Sequence, residues 1–234
     1  ETLESSDINV LSVSIGDICI ALMSKDRDMQ MRVPEATRHF LVGSGEAESH
    51  VSAAWGDLRE PASGDHLFDS GGLWQLYREG PDYTFRFTSP AYGEHPYKQA
   101  RFNADFTSGE VLLHADYFDH DEPAIPLEYP LDELLTTNLL ARGRGVELHA
   151  FGMRDHDGRG YLFVGHSGAG KTTSARLWEK AGVLVLSDDR IIVRYLDGKA
   201  WMYGTPWHGD AELAASARTE LHHIFFLGRG TANE

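Results

Sequence analysis

Short runs in which apolar and polar residues alternate dominate the first half of the chain, a pattern typical of antiparallel β-strands. Residues 8–23 carry two apolar arms, INVLSVSI and ICIALM, on either side of Gly16-Asp17, and this arrangement predicts a hairpin. Further alternating runs occupy residues 73–77, 83–88 and 97–106. We therefore expect a strand-rich region from the start of the chain to about Asp116.

The second half mixes helix and strand patterns. Leucines recur at helical spacing within residues 130–143, which predicts a helix. A second helix is predicted at 173–181, and strands are predicted at 146–153, 160–164, 183–187, 191–195, 201–204 and 223–227. An acidic, proline-bearing stretch at 116–130 precedes these elements, so we predict a strand-rich domain at 1–125 and a nucleotide-binding domain at 126–234. We expect a further helix beyond residue 234, because one face of the sheet needs cover.

The most specific motif lies between the strand predicted at 160–164 and the helix that follows it. Gly165, Gly170, Lys171 and Thr172 match the pattern G-x-x-x-x-G-K-[ST], which cradles nucleotide phosphates. Glycines let backbone N–H groups turn towards phosphate oxygens, the lysine adds a positive charge, and the threonine offers a hydroxyl to phosphate-bound Mg²⁺. A nucleotide-dependent enzyme is therefore the leading interpretation, and a Gly-rich turn is the alternative.

The whole loop is predicted to bind the nucleotide. Its candidate residues are Gly165, His166, Ser167, Gly168, Ala169, Gly170, Lys171, Thr172 and Thr173. His166 occupies a position that the pattern leaves free, so it either fills the loop or contacts nucleotide or substrate.

Two adjacent acids, Asp188 and Asp189, follow the apolar run VLVLS at 183–187. Carboxylates at the tip of a buried strand beside a phosphate loop are placed to reach a metal ion or a substrate proton. The alternative is a polar turn between two strands, where aspartate is common. Next to the phosphate loop, the functional interpretation is favoured.

Three segments together resemble the bacterial HPr kinase/phosphorylase family and its relatives, whose fold is related to phosphoenolpyruvate carboxykinases. The segments are HAFGM (149–153), GHSGAGKTT (165–173) and VLSDDRIIV (185–193), and the resemblance covers residues 146–195. It implies an α/β fold with an HPr kinase/phosphoenolpyruvate carboxykinase-like P-loop nucleotide-binding core and a strand-rich N-terminal region. It also implies an Mg²⁺-dependent kinase that uses ATP, or GTP, to phosphorylate a serine-type hydroxyl.

The resemblance assigns roles to single residues. His149 is expected near the transferred phosphate, Lys171 and Thr172 on phosphate and Mg²⁺, Asp188 as the base and Asp189 as a metal ligand. The family's Glu- and Arg-containing stretch after the paired acids is missing, and WMYGTPWHGDAEL stands at 201–213 instead. Its aromatic residues are either core residues or a substrate wall, and Asp210 or Glu212 is a further candidate metal ligand. We therefore expect an acceptor other than HPr, on a protein, a peptide or a small molecule.

The amino-acid composition limits the classes of binding partner and the cell compartment that we expect. The chain of 234 residues has 21 Lys and Arg against 36 Asp and Glu, a net charge of -15, which opposes binding to nucleic acid or to anionic membranes. Its single cysteine, Cys19, excludes an intrachain disulfide and favours the cytoplasm. Assembly into a homo-oligomer stays open.

Two other functions remain as alternatives to a kinase. One is a regulatory or scaffold protein in which nucleotide only sets the conformation; the other is a carboxykinase-like enzyme, which needs more cationic residues than the region after Asp189 offers. Separately, the acidic residues of the 116–130 stretch are either a solvated connector or ligands of a divalent ion. The residues in question are the acids Asp116, Asp119, Asp121 and Glu122 together with His120.

Overall fold

The computed structural model describes residues 10–43 and 45–228, and these residues divide between two compact units. The first unit takes in the described residues of 10–13, 19–34 and 41–132. The second takes in Ser14–Ile18, Glu35–Phe40 and residues 133–228. No helix in the described residues is long and apolar enough to cross a membrane.

An eight-stranded sheet organises the first unit, in the order β1-β2-β3-β8-β7-β6-β5-β4. Its strands are β1 (Val10–Ile15), β2 (Ile18–Ser24), β3 (Ser49–Gly56), β4 (Asp65–Asp69), β5 (Trp74–Glu79), β6 (Asp82–Phe87), β7 (Lys98–Phe102) and β8 (Ser108–His114). The pairs β2–β3 and β3–β8 are parallel, and β4 to β8 form antiparallel pairs. Short 3₁₀ turns lie at Glu35–Phe40 and Ala115–Tyr117.

The strands predicted for this half are present. Gly16 and Asp17 adopt φ values of 62° and 56° between β1 and β2, which confirms the predicted hairpin; residues 8 and 9 of its first arm lie outside the described residues. Alternate residues of the inner strands are buried and form the core, including Phe85, Phe87, Ala100, Phe102, Val111 and Leu113. The alternation of apolar and polar residues in the sequence therefore corresponds to a buried face of the sheet.

Two helices and six strands form most of the rest of the chain. The helices are α1 (Leu131–Leu140) and α2 (Lys171–Lys180), and the strands are β9 (Val146–Arg154), β10 (Gly160–Val164), β11 (Leu184–Ser187), β12 (Arg190–Leu196), β13 (Lys199–Tyr203) and β14 (Arg218–Phe226). Strands β10, β14, β13, β12 and β9 follow one another as hydrogen-bonded neighbours, and β9 pairs again with β10, so five strands close into a ring. Strand β11 adds to β9.

The predicted α/β fold with an HPr kinase/phosphoenolpyruvate carboxykinase-like P-loop core is wrong. The described part of the chain is mostly β, with 43% of its residues in strands and 13% in helices. Asp197 and Gly198, with φ values of 52° and 79°, turn β12 directly back into antiparallel β13, where a parallel α/β sheet needs a crossover helix. Around β9 all pairings are antiparallel, and the parallel pairing in this sheet is β10 with β14.

Candidate functional site

The loop between β10 and α2 has the backbone that its glycines predict. Gly168 and Gly170 adopt φ values of 79° and 102°, in the left-handed region that glycine tolerates and other residues rarely adopt. A Cβ built on either glycine meets no atom within 4 Å, so the space beside this part of the loop is open. The loop therefore forms a cradle with room for a ligand.

Helix α2 starts directly after this cradle. The N-cap residue is Gly170, which has no side chain. No side chain therefore caps the first backbone N–H groups of the helix. The positive end of the helix dipole lies at the same place. An anion is the ligand that this combination favours.

The ammonium group of Lys171 spans the loop. Its Nζ donates hydrogen bonds to the carbonyl oxygens of Gly165, at 2.7 Å, and of His166, at 3.2 Å, and the residue is buried. These two hydrogen bonds hold the side-chain nitrogen beside the loop at a fixed position. The energetic cost of burying the ammonium group is offset by the two carbonyl acceptors.

A cavity of about 480 Å³ opens above the loop and is bordered from three other places in the second unit. Its lining residues are His149, Ser167, Gly168, Gly170, Lys171, Thr172, Thr173, Asp189, Gly209 and Asp210. Gly165, His166 and Ala169 do not border it; the His166 ring lies 2.7 Å from the Ser167 carbonyl oxygen through Nδ1. A cavity of this size is in the range of small-molecule sites.

Strand pairing brings His149 to the loop after β11. His149 lies opposite Arg190 in the antiparallel register of β9 and β12, and the N–H of Ala150 donates to the carbonyl oxygen of Asp189 at 3.0 Å. As a result the Nε2 atom of His149 lies 2.9 Å from Oδ1 of Asp189. The imidazole and this carboxylate form a hydrogen-bonded pair at the edge of the cavity.

Asp188 occupies a different environment from its neighbour. It is 1% exposed, and its carboxylate accepts backbone hydrogen bonds from Gly209 (2.9 Å), Ala211 (3.0 Å) and Leu213 (3.3 Å). A Cβ on Gly209 would lie 2.9 Å from Oδ2 of Asp188, so this close approach needs glycine. Asp188 does not border the cavity but fixes the loop that carries Gly209 and Asp210 to it.

A cluster of charged residues lies beside Asp189, and sequence analysis did not single it out. Arg190 places Nη1 2.6 Å from Oδ2 of Asp189, and its Nε lies 3.0 Å from Oε1 of Glu133 and 3.3 Å from Oε1 of Glu147. Glu147 precedes His149 by two positions on β9, and a strand places such residues on one face. That alternation is the one sequence feature that points to Glu147.

The two carboxyl groups of this cluster share a partly buried position. Burial, followed by the negative charge and hydrogen bond of Glu133, raises the pKa of Glu147 to about 7 from its ordinary 4.5. Thr137 donates a hydrogen bond from Oγ1 to Oε2 of Glu147 at 2.9 Å, which favours the ionised form. The net result is a carboxyl group that changes charge near neutral pH.

The segment after β13 contributes one acid to the cavity. Asp210 borders it, and its carbonyl oxygen accepts a hydrogen bond from Arg176 of α2 at 2.6 Å. Trp201, Tyr203, Trp207 and Glu212 are not among the described residues that line it. Tyr203 instead donates from its hydroxyl to Asp17 at 2.7 Å, and Trp207 is buried.

The residues around the loop fit a phosphate-bound Mg²⁺ better than a metal site built of protein ligands alone. In the described part of the chain, no three His, Cys, Asp or Glu side chains are grouped as a metal site requires. Mg²⁺ commonly takes one or two carboxylates and completes its shell with phosphate oxygens and water. Thr172, Asp189 and Asp210 border the cavity and provide oxygen atoms of that kind.

Comparison of the chain with protein-family models and with curated proteins finds no match.

Proposed function

We propose that this protein is a nucleotide-dependent phosphotransferase that moves the γ-phosphate of ATP, or GTP, to an acceptor hydroxyl. The observation that carries the proposal is that one cavity is bordered both by the Gly-Lys-Thr loop and by the His149–Asp189 pair. A loop that only turned the chain would need neither an open cradle nor an imidazole–carboxylate pair beside the same cavity. The resemblance of residues 146–195 to the HPr kinase/phosphorylase family is consistent with this chemistry and remains part of the proposal.

The loop side of the cavity holds the phosphates in this proposal. In this arrangement, backbone N–H groups at the start of α2 bind phosphate oxygens. The ammonium group of Lys171 binds the phosphate group that is transferred. Thr172 and Asp189 would hold Mg²⁺, with Asp210 near enough to the same cavity to assist. When bound, the ion neutralises negative charge on the phosphates.

The opposite side of the cavity receives the acceptor. An imidazole that donates from Nε2 to Asp189 keeps Nδ1 as its acceptor nitrogen, so we assign His149 as the group that accepts the proton of the attacking hydroxyl. Asp189 orients the ring, and Arg190 in turn fixes Asp189. We assign Asp188 a positioning role in place of the base role that the resemblance implies, because it is buried, does not border the cavity, and accepts three backbone N–H groups of the loop at 209–213.

The charge of the cavity favours a neutral acceptor over a carboxylic acid. Among the described residues that line it, Lys171 is the one lysine or arginine, against the acids Asp189 and Asp210. A carboxykinase-like reaction would place a further carboxylate there with no second such cation to bind it. A serine-type hydroxyl on a protein, a peptide or a small molecule needs no such partner. A cytoplasmic location, where ATP and Mg²⁺ are abundant, completes the proposal.

Transfer of labelled phosphate tests the function. The protein is incubated with Mg²⁺ and γ-labelled ATP or GTP in the presence of cell extract whose own kinases have been inactivated by heat, and the labelled species are identified. We expect label on a hydroxyl acceptor with the unmodified protein and with Lys180→Ala, an exposed lysine of the same helix, and none with Lys171→Ala. Nucleotide binding without any transfer across extract fractions would instead support the regulatory or scaffold function.

A further inference from the structure

The first unit contains its own cavity, of about 220 Å³, which plays no part in the proposed phosphotransfer. Ten residues line it: Arg32, Trp55, Tyr92, Phe118, Asp119, Glu122, Pro123, Ala124, Ile125 and Glu128. The lining combines three aromatic rings with three carboxylates. Most of the lining residues belong to the acidic stretch at 116–130. The sequence alone did not decide whether this stretch is a solvated connector or an ion site.

The aromatic walls of this cavity are held in place by ring contacts. The ring of Phe118 lies 6.0 Å from that of Trp55 and 5.3 Å from that of Tyr92, measured between centroids. His120 stacks on Trp55 at 4.2 Å with the planes 3° apart. The aromatic surface is therefore preformed, with one continuous row of rings along the cavity.

Backbone hydrogen bonds fix the acidic stretch against the rest of the first unit. Arg32 donates from its backbone N–H to Ala124 at 2.9 Å, and Ala124 donates to Gln30 at 2.9 Å, as in a parallel strand pair. Nε2 of His120 lies 3.0 Å from the carbonyl oxygen of Ala115. A solvated connector would not need such contacts. The stretch is instead fixed in place and forms one side of the cavity.

Negative charge exceeds positive charge around this cavity. One of its three acids, Glu128, lies 3.2 Å from the buried ammonium group of Lys98. The other two, Asp119 and Glu122, belong to one turn, in which the N–H of Glu122 donates to the Asp119 carbonyl oxygen at 3.2 Å. Arg32, the one cation among the described lining residues, directs Nε to the Pro123 carbonyl at 3.3 Å. Burial and then the charge of Glu128 raise the pKa of the Tyr92 hydroxyl, which agrees with a negative potential here.

We propose that this cavity binds an alkylammonium group, either of a small amine or of a lysine side chain. Aromatic rings attract an organic cation through their quadrupoles, and the carboxylates of Asp119, Glu122 and Glu128 add Coulomb attraction. The volume is below the range of about 300–1,000 Å³ that is usual for drug-sized ligands, so a single cationic head group fits it better than a larger molecule. This proposal does not depend on the phosphotransferase proposal.

Nuclear magnetic resonance on the full chain tests the proposal through the indole N–H of Trp55. Its Nε1 is buried without a hydrogen-bond partner among the described residues, so ligand binding next to the ring will shift its cross-peak. The peak is assigned with Trp55→Phe. Choline and n-butylammonium are compared with their neutral analogues 3,3-dimethylbutan-1-ol and 1-butanol. A capped lysine tripeptide against its norleucine counterpart separates a peptide ligand from a small amine.

We expect saturable shifts with the cations at low salt, weaker binding at high salt, and at least about tenfold weaker binding of the neutral analogues. Glu122→Gln and Tyr92→Leu should each weaken binding about tenfold, whereas Asp65→Asn, an exposed acid of β4 outside the cavity, should not. Amide peak dispersion shows that each variant is folded. The proposal is overturned if the cations leave the Trp55 peak unchanged, if neutral analogues bind equally well, or if a folded Glu122→Gln variant binds as tightly as the unmodified protein.

Discussion

The Nε2 atom of His149 lies 2.9 Å from Oδ1 of Asp189, and this pair borders the same cavity as the Gly-Lys-Thr loop. His149 comes from the middle of β9 and Asp189 from the turn that leads into β12, so the pairing of these two strands creates the contact. The second oxygen of Asp189 lies 2.6 Å from Nη1 of Arg190. An imidazole, a carboxylate and a guanidinium thus form one chain of hydrogen bonds that ends at the cavity.

Replacement of His149 tests the role of the imidazole in transfer. We expect His149→Gln to lower the rate of phosphate transfer about 10²–10⁴-fold, because a positioned general base contributes about that much, while ATP binding changes little. His166→Gln is the matched control, since that ring belongs to the loop but does not border the cavity. Single-turnover transfer and equilibrium nucleotide binding are measured on the same preparations. Equal loss in both variants would remove His149 from the mechanism.

Replacement of Asp188 separates a positioning role from a base role. An asparagine at this position could offer only one acceptor oxygen to the three backbone N–H groups, so we expect Asp188→Asn to lower the free energy of unfolding by about 1–3 kcal/mol. Asp210→Asn, an exposed acid of the same loop, should change it by less than about 0.5 kcal/mol. Denaturant unfolding measures both variants. An unchanged stability together with lost transfer would return the base role to Asp188.

The raised pKa of Glu147 predicts a pH dependence of stability. Between pH 4.5 and about 7 the folded protein holds a proton on this group that the unfolded chain has lost, so the free energy of unfolding falls as the pH rises through this window. Glu147→Gln removes this contribution, so the variant should gain stability relative to the unmodified protein as the pH rises from about 5 to about 8.

Thermal or denaturant unfolding across this pH range measures the effect. Glu212→Gln, an exposed acid of the same unit, provides the baseline. Parallel pH profiles for the unmodified protein and Glu147→Gln would contradict the raised pKa of this carboxyl group.

Local patterns in the sequence were sufficient for individual elements and for the loop. Helices predicted at 130–143 and 173–181 are observed at Leu131–Leu140 and Lys171–Lys180. The glycine spacing anticipated the open backbone at Gly168 and Gly170, because that geometry depends on residues next to each other in the chain. Sheet order was not accessible in this way, since the parallel pairing of β14 with β10 joins segments far apart in sequence.

The sequence could not show which of two neighbouring aspartates borders the cavity. Asp188 and Asp189 are both carboxylates in the bend that joins β11 to β12, so their residue type does not tell them apart. Which of them faces the cavity depends on the loop at 209–213, whose backbone N–H groups bind the first acid and leave the second at the surface of the cavity. Nothing near the two aspartates in the sequence indicates that contact.

Calorimetric titration with Mg²⁺ and a non-hydrolysable ATP analogue tests most directly whether the cavity above the loop is a triphosphate site. We predict saturable binding that needs the β- and γ-phosphates, so that AMP binds at least about tenfold more weakly, because the loop and helix N-terminus contact phosphate groups. Lys171→Ala should abolish binding, whereas Lys180→Ala should retain it. Absence of binding for both the ATP and the GTP analogue, or undiminished binding by Lys171→Ala, would contradict the account.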